Sequence, residues 1–341
     1  MRKTRIPLAA LLAATLTAGL ASSTTLAAGA AGVADYPKPA SFPKENHDKV
    51  GAALRRARQA AGDDLFQDFA HRCIVSPKYK TRVFGMQYNG PIEATKIFDE
   101  FYWVGQNAVS SQALVTNEGI VLFDTLNNEE EAKNLLVPNL KSVGLDPKDI
   151  KYIVITHGHG DHYGGADWLK KTYGATILAS GPDWDFMERE KGRPAMFSAP
   201  PARDRVIKDG EVLQVGETKL QFHVTPGHTN GVLSTIFTVH DQGKPHVVGY
   251  FGGTGGGNDE DGHHKHIGSV DRWLTATRKA GVDVLIANHP LHDRAIEKNE
   301  LLHYRGPGDP NPYVIGQDRF QRYFKMHQEC ARVQLARQGV D

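Results

Sequence analysis

Cysteine is scarce in this sequence, which has only Cys73 and Cys330 among its 341 residues. Neither cysteine lies near a histidine-rich motif, so neither is predicted to bind a metal or to act as a nucleophile. The two could form a disulfide if the chain is exported to an oxidising compartment, and two separate buried thiols are the alternative. The sequence leaves both arrangements open.

An excess of charge of either sign is also missing. The 40 lysines and arginines balance 39 aspartates and glutamates to a formal net charge of +1, and no long basic run occurs. Such a composition gives no electrostatic basis for binding nucleic acid, so we expect a small-molecule substrate as the partner. With 40% hydrophobic and 23% charged residues, the chain has the composition of a globular protein with one or two domains. Nothing in the sequence indicates the oligomeric state.

Long apolar runs are absent beyond residue 20. Before that point, three basic residues among the first five precede an apolar stretch, residues 6–20, which small residues follow. This order predicts a signal peptide over residues 1–34 that is removed by cleavage. Cleavage could follow any of the alanines that close a small-x-Ala pattern: Ala27, Ala30 or Ala34.

An uncleaved membrane anchor is the alternative for this segment. The apolar stretch is short for a membrane span, however, and it contains Thr15 and Thr17. We therefore expect a periplasmic or secreted protein with no stable membrane insertion after signal cleavage.

The rest of the chain is predicted to have an N-terminal extension, residues 35–93, and a catalytic domain, residues 94–341. The extension contains one predicted helix, Asn46–Ala61, which Gly62 ends. Apolar segments between glycine and aspartate turns predict strands within 95–103, 113–116, 119–124, 150–156, 175–179, 205–213, 219–225, 231–239, 246–251 and 284–287. Amphipathic segments predict helices over 129–143, 166–173, 183–190, 270–280 and 317–338. This order indicates an α+β fold, with two sheets packed together and covered by helices.

The densest chemical signal follows the apolar strand that ends near Thr156. Four potential metal ligands stand within six positions: His157, His159, Asp161 and His162. The first two can project to the same side of extended backbone, and the last two can turn toward a second point at the start of a helix. The segment therefore predicts two adjacent metal ions, because imidazole and carboxylate are ligands that zinc accepts.

Two further histidines complete the predicted site. His228 stands in a tight turn after a strand, and His289 directly follows the strand 284–287. Loops at strand ends commonly carry site residues. Either histidine alone would be interpreted as an ordinary surface or core residue, but together with the first four they supply the ligands that the metals still need.

The motif H-x-H-x-D-H, together with these two histidines, resembles the metal site of the metallo-β-lactamase superfamily. The resemblance covers about residues 94–293 and implies an αββα sandwich of two mixed β-sheets with helices on the outer faces. Residue by residue, it implies two zinc ions per chain, one held by His157, His159 and His228 and the other by Asp161, His162 and His289. This pattern is similar to the third subclass of the zinc-dependent β-lactamases. Asp124 matches the aspartate that braces the metal loop in this family.

The segment after the predicted strand 246–251 departs from part of the family. Glyoxalase-type members carry a metal-bridging aspartate there, whereas this chain has Gly252, Gly253 and Thr254. The difference favours the β-lactamase-like branch, although the serine typical of the third subclass is replaced as well.

The resemblance implies hydrolysis of a cyclic amide by a zinc-bound hydroxide, which Asp161 orients as the catalytic residue. A lactone or another ester is the alternative substrate. The alternative that is not an enzyme is a homologue that binds zinc but does not catalyse hydrolysis.

Several other residues carry weaker signals. The histidines at 263, 264 and 266 lie in a glycine-rich polar segment that is interpreted as a solvated loop, with a lid over the site as the alternative. His292 competes with His289 as a ligand, and His289 is preferred because it directly follows the strand. Four residues could line a substrate pocket, although aromatic residues at such positions more often belong to the core: Trp103, Gln106, Trp184 and Phe186.

Overall fold

The computed structural model describes residues 38–80, 89–192, 197–257 and 259–340. The predicted signal peptide, residues 1–34, lies outside the described residues. Residues from Pro39 onward belong to one compact unit, so the extension and the catalytic region are parts of the same unit. In the part of the chain that the structure describes, we find no helix with both the length and the hydropathy needed to cross a membrane.

Twelve strands are found among the described residues, and they form two mixed sheets. The first sheet has the order β1-β2-β3-β4-β5-β6-β7, antiparallel up to β4 and parallel from β4 to β7. The second has the order β12-β11-β10-β9-β8, in which β11 and β12 are parallel and the other pairs antiparallel. The strands are β1 Thr95–Lys96, β2 Phe101–Trp103, β3 Gln112–Thr116, β4 Gly119–Phe123, β5 Ile150–Val154, β6 Thr176–Ser180, β7 Arg205–Ile207, β8 Val212–Val215, β9 Thr218–Val224, β10 Leu233–Asp241, β11 Lys244–Phe251 and β12 Val284–Ala287.

The helices of the described residues lie in the extension, between the strands and at the end of the chain. They are α1 His47–Ala61, α2 Phe66–Phe69, α3 Ser76–Lys78, α4 Glu129–Glu131, α5 Val137–Ser142, α6 Gly160–Tyr163, α7 Ala166–Tyr173, α8 Gly181–Glu190, α9 Glu260–Ala280, α10 Pro290–Asp293, α11 Ala295–His303 and α12 Gln317–Gln338. Single π-helical turns, Ala70–Val75 and Ala132–Leu136, join α2 to α3 and α4 to α5.

Aromatic side chains from both sheets fill the space between them. Phe123 of β4 stacks on Phe237 of β10 with 5.5 Å between ring centroids, and Phe101 of β2 meets Phe237 edge-on at 5.3 Å. On the outer face of the first sheet, Leu169 of α7 packs among buried aliphatic residues of β4 to β6. Trp273 of α9 joins the apolar cluster on the outer face of the second sheet. The predicted αββα sandwich is therefore confirmed.

The final helix α12 connects the extension to this sandwich. Small residues let α1 and α12 approach closely, with Ala53 and Ala336 in one buried cluster. Arg56 of α1 also donates to Glu329 of α12 at 2.9 Å. Cys73 and Cys330 form a disulfide with their Cα atoms 4.8 Å apart, which decides the arrangement that the sequence left open.

Two sequence predictions about secondary structure are wrong. The predicted strand 205–213 is two strands in different sheets, because Gly210, with φ +76°, turns the chain between β7 and β8. The predicted loop around residues 260–266 is the beginning of the long helix α9. Asp259 caps that helix by accepting a hydrogen bond from the Gly262 N–H at 2.7 Å.

Candidate metal centre

The candidate ligands all follow strand ends at one edge of the sandwich. The His157 loop follows β5, His289 follows β12, and the turn with His228 follows β9. Short α6 starts after His159 and turns His162 inward. The backbone after α6 packs closely against the segment around Asn127. A Cβ on Gly164 would lie 2.1 Å from the Asn127 carbonyl carbon, so only glycine fits at this position.

Three histidines form the first group of candidate ligands. The Nδ1 atom of His159 lies 3.1 Å from Nε2 of His157 and 3.1 Å from Nε2 of His228. A tetrahedral zinc ion with metal–nitrogen distances of about 2.0–2.1 Å separates its ligand atoms by roughly 3.4 Å. The three nitrogens therefore have close to the spacing that one metal ion requires.

The second group contains a carboxylate and two histidines. Asp161 Oδ2 lies 3.3 Å from His162 Nε2 and 3.6 Å from His289 Nε2. The Nε2 atom of His162 is buried and has no hydrogen-bond partner among the described residues. Such an atom is costly to bury unless something binds it, and a metal ion at this position would do so.

The opposite ring nitrogens of these histidines contact oxygen atoms. The Nδ1 N–H of His157 donates to the Gly252 carbonyl at 2.9 Å, and that of His289 donates to the Ala108 carbonyl at 2.7 Å. His162 Nδ1 lies 2.7 Å from Asp124 Oδ2. Hydrogen bonds at Nδ1 fix the tautomer that leaves the Nε2 lone pair available to a metal.

Charge in the centre is arranged to attract a cation. Burial lowers the pKa values of His157 and His228 well below their usual range, which keeps both imidazoles neutral. Burial alone would raise the pKa of Asp161, but His162 and His289 hold it well below its usual range. Against the effect of burial, Asp161 and Asp124 raise the pKa of His162 to about 10. The two carboxylates therefore favour positive charge at the place where a divalent ion would bind.

Asp124 braces the metal loop in the way the resemblance implies. Its carboxylate accepts hydrogen bonds from the Thr156 N–H at 2.8 Å and the Thr156 hydroxyl at 2.7 Å, besides contacting His162. It does so from a left-handed backbone conformation, φ 57°, which is uncommon for a residue with a side chain. This strain is compensated by three contacts that fix the loop.

Asp183 is an important site residue that the sequence analysis missed. From the start of α8, its carboxylate accepts hydrogen bonds from the Gly158 N–H at 2.8 Å, the Thr229 hydroxyl at 2.7 Å and the Gly231 N–H at 2.9 Å. One buried side chain thus ties the loop of His157 and His159 to the loop of His228. Its partners lie at least 25 residues away, so no local pattern could reveal it.

The remaining residues singled out in the sequence have different roles. Trp103 and Trp184 are buried in the core, as their residue type favours, and Gln106 is buried with its amide hydrogen-bonded to Asn89 and to the Ala108 N–H. Phe186 is half-buried, with its ring centroid 5.5 Å from that of His159. His292 is not part of either group, because its Nδ1 accepts a hydrogen bond from Arg72 at 2.7 Å. His263 and His266 are buried on α9, while His264 is exposed.

Comparison with known proteins agrees with this geometry. The family model described as the metallo-beta-lactamase superfamily matches residues 104–241, which contain all the candidate ligands except His289. The structure also resembles BJP-1, a subclass B3 metallo-beta-lactamase of Bradyrhizobium japonicum, with a TM-score of 0.58, 25% identity, and coverage of 69% of this chain and 91% of that chain. This chain has the metallo-β-lactamase fold. Its fold therefore brings a metal-binding site with it.

Other known proteins are similar to larger or smaller shares of the chain. The metallo-beta-lactamase FEZ-1 from Legionella gormanii shares the fold, with a TM-score of 0.63, 22% identity, and coverage of 74% of this chain and 98% of that chain. A rubredoxin-oxygen oxidoreductase of Megalodesulfovibrio gigas is 32% identical over 153 residues, which is 39% of this chain and 35% of that protein. A hydroxyacylglutathione hydrolase of Brucella anthropi is 33% identical over 85 residues, 25% of this chain and 28% of that protein. The chain thus matches about a third of the length of these curated relatives.

A cavity of about 870 Å³ opens beside the candidate metal centre. His159, Asp161, His228 and His289 are among the residues that line it. The extension and α12 also line it, with Phe42, His71, Arg72, Ser76, His327, Ala331 and Gln334 among the lining residues. The extension therefore contributes to the shape of this cavity.

The hydrogen bonds of Asp183 lead to a prediction. In Asp183→Asn, an amide N–H₂ must face at least one of the three donors, so we expect zinc affinity to fall by about 10–100-fold. We also expect the free energy of unfolding to fall by about 1–3 kcal/mol. A competition titration with a zinc chelator and urea denaturation measure the two effects. Asp185→Asn is the matched control, because Asp185 lies on the same helix, is exposed and pairs with Arg203; equal zinc affinity in both variants would contradict the role of Asp183.

Proposed function

We propose that the protein is an exported dinuclear zinc hydrolase that opens a cyclic amide, the β-lactam ring. The observation that carries this proposal is the pair of ligand groups at the end of an open cavity, one with three histidines and one with Asp161, His162 and His289. Two zinc ions bound there would supply a water of lowered pKa near 7 and a Lewis acid for the substrate carbonyl.

The side chains of the centre have separate tasks in this function. Histidine ligands fixed through Nδ1, such as His157 and His289, hold their Nε2 atoms in place before substrate arrives. Asp161 is the one carboxylate among the described residues that line the cavity. Its position suits it to accept a hydrogen bond from the attacking water and so to orient that water toward the carbonyl.

Two observations support a β-lactam substrate. One is the similarity to BJP-1, a subclass B3 metallo-beta-lactamase that is 25% identical to this chain. In addition, the segment of Gly252, Gly253 and Thr254 has no carboxylate where a glyoxalase-type member would have a bridging aspartate, and the Thr254 hydroxyl lies 3.1 Å from His228 Nδ1. A lactone or another ester is the alternative, which the similarity to hydroxyacylglutathione hydrolases favours. A homologue that binds zinc without turnover is a further alternative.

Export is part of the proposal. The basic, apolar and small-residue order of residues 1–34 supports it, and a disulfide between Cys73 and Cys330 is typical of proteins in oxidising compartments. Fractionation of cells that produce the full chain, with N-terminal sequencing of the exported form, would test it.

Hydrolysis by the purified zinc-loaded protein tests the activity. We expect turnover of a carbapenem and of a chromogenic cephalosporin that a chelator abolishes and that added zinc restores. Turnover of a simple lactone without turnover of either β-lactam would favour the alternative substrate. Bound zinc without hydrolysis of any of the three would contradict the proposed reaction.

A further inference from the structure

The cavity beside the metal centre has a cationic and histidine-rich end that the hydrolytic chemistry does not use. The residues there come from four segments of the chain: Arg72 from the extension, His263 and His266 from α9, His292 from α10, and His327 from α12. We propose that Arg72 and His327 form a binding subsite for a carboxylate of the substrate. This inference rests on the proposed function, and it adds the substrate class, an anionic molecule.

Arg72 is a half-buried cation that forms no ion pair with a carboxylate among the described residues. The nearby acid, Asp68, pairs with Arg294 at 3.3 Å instead. Arg72 donates to the Thr254 carbonyl, to His292 Nδ1 at 2.7 Å and to the Tyr323 hydroxyl. These contacts use three of the five N–H donors of a guanidinium and leave two for a ligand. Desolvation of the Arg72 guanidinium lowers its pKa, the charge of Asp68 offsets this only in part, and an anionic ligand would offset it further.

His327 provides a second unsatisfied group at the same cavity. The residue is 3% exposed, and neither ring nitrogen has a hydrogen-bond partner among the described residues. Its ring packs on Tyr323 with 4.5 Å between centroids, and the Tyr323 hydroxyl donates to the His292 carbonyl at 2.7 Å. A neutral imidazole has one N–H to donate, so a carboxylate oxygen in the cavity would satisfy it.

Electrostatics support an anion at this end of the cavity. Burial lowers the pKa values of His292 and His327 well below their usual range, and the nearby charge of Arg72 lowers them further. Both histidines are therefore neutral, and the cations among the described lining residues are Arg72 and the exposed Lys80. Asp161, the one carboxylate among the described lining residues, is a candidate metal ligand. A substrate could then place its carbonyl at the metal centre and its carboxylate at Arg72.

A further metal ion is a poorer interpretation of these histidines. Among the described residues, the groups of ligand atoms that converge closely enough to hold an ion are the two of the metal centre. The rings of His266 and His327 are 6.1 Å apart between centroids.

Calorimetric binding of benzoate and of its uncharged analogue benzamide to the zinc-loaded protein tests the subsite without requiring turnover. We expect benzoate to bind at least 10-fold more tightly than benzamide. In Arg72→Gln and in His327→Phe, we expect benzoate affinity to fall to that of benzamide. The control variant is His264→Gln, which changes an exposed histidine of α9 and should bind benzoate as the wild type does. Unchanged benzoate affinity in either test variant, or no preference for benzoate in the wild type, would overturn the proposal.

Measurements of Tm and of KM distinguish anion binding by Arg72 and His327 from a purely structural role of these residues. They also test the subsite independently of the proposed function. His327→Phe removes two unpartnered buried nitrogens, so we expect its Tm to equal or exceed that of the wild type. If a β-lactam is hydrolysed, KM for the free acid should rise at least 10-fold in both variants while KM for its methyl ester stays the same. If no tested substrate is hydrolysed but benzoate shows the expected pattern, the proposed function fails and the anion subsite stands.

Discussion

Replacing His228 by alanine is expected to reduce kcat/KM by about 1000-fold or more, which corresponds to roughly 4 kcal/mol of lost transition-state stabilisation. His228 Nε2 lies 3.1 Å from His159 Nδ1, so its removal takes one of three converging nitrogens from the first group. Two nitrogens cannot complete the three-ligand set of a catalytic zinc. We therefore expect bound zinc to fall from two ions per chain toward one, as measured by elemental analysis after dialysis.

The effect should be confined to the site. His228 Nδ1 contacts Thr254, and its turn is also held by the hydrogen bond from Thr229 to Asp183, which the substitution leaves in place. The far-ultraviolet circular dichroism spectrum should therefore match that of the wild type. His264→Ala, at an exposed position of α9, serves as the control and should keep both zinc ions and full activity. Wild-type activity in His228→Ala would show that the first group is not a catalytic metal site.

The sequence was sufficient to predict helices and strands in which apolar residues recur with the period of the helix or form a continuous apolar run. The final helix Gln317–Gln338, the helix Ala166–Tyr173 and the strand Val284–Ala287 have the predicted bounds. Each has an apolar face or a continuous apolar run, and glycine ends both helices. The histidine cluster was visible for a similar reason, since four ligand types in six positions form a local pattern.

The first two turns of α9 could not be predicted in this way. The residues that they bury are Gly262, His263 and His266, which are polar or small, so the usual apolar period is missing. What stabilises this part of the helix lies elsewhere in the chain, since Gln328 of α12 donates to the Ile267 carbonyl at 3.0 Å. Sequence patterns contain no information about a partner 61 residues away.

The supporting residues of the centre were missed for the same physical reason. Asp183 acts through two loops that are separate in sequence, and Arg72 reaches Thr254 from 182 residues away. A lone aspartate on a helix or a lone arginine in an extension has many ordinary roles. Only the packing of the two sheets and of the extension brings these side chains to the metal centre.

The disulfide provides the second large effect. Cys73 and Cys330 are separated by 257 positions, and cross-linking so long a loop strongly restricts the unfolded chain. In the double variant Cys73→Ser, Cys330→Ser, we expect the free energy of unfolding to fall by about 2–5 kcal/mol. Part of this loss has a local cause, because both sulfur atoms are buried among the apolar residues that α1 and α12 share, where hydroxyl groups are unfavourable.

Urea denaturation in the presence and absence of a reductant measures this contribution. The wild type should lose stability when it is reduced, whereas the double variant should not respond. Because Cys73 directly follows Arg72, loosening this segment should also weaken benzoate binding while leaving the zinc content unchanged, since no candidate ligand lies in the extension. Two titratable thiols in the unreduced, denatured wild type, together with equal stability under both conditions, would show that the cysteines are not paired and that packing of α1 against α12 alone holds Arg72 at the cavity.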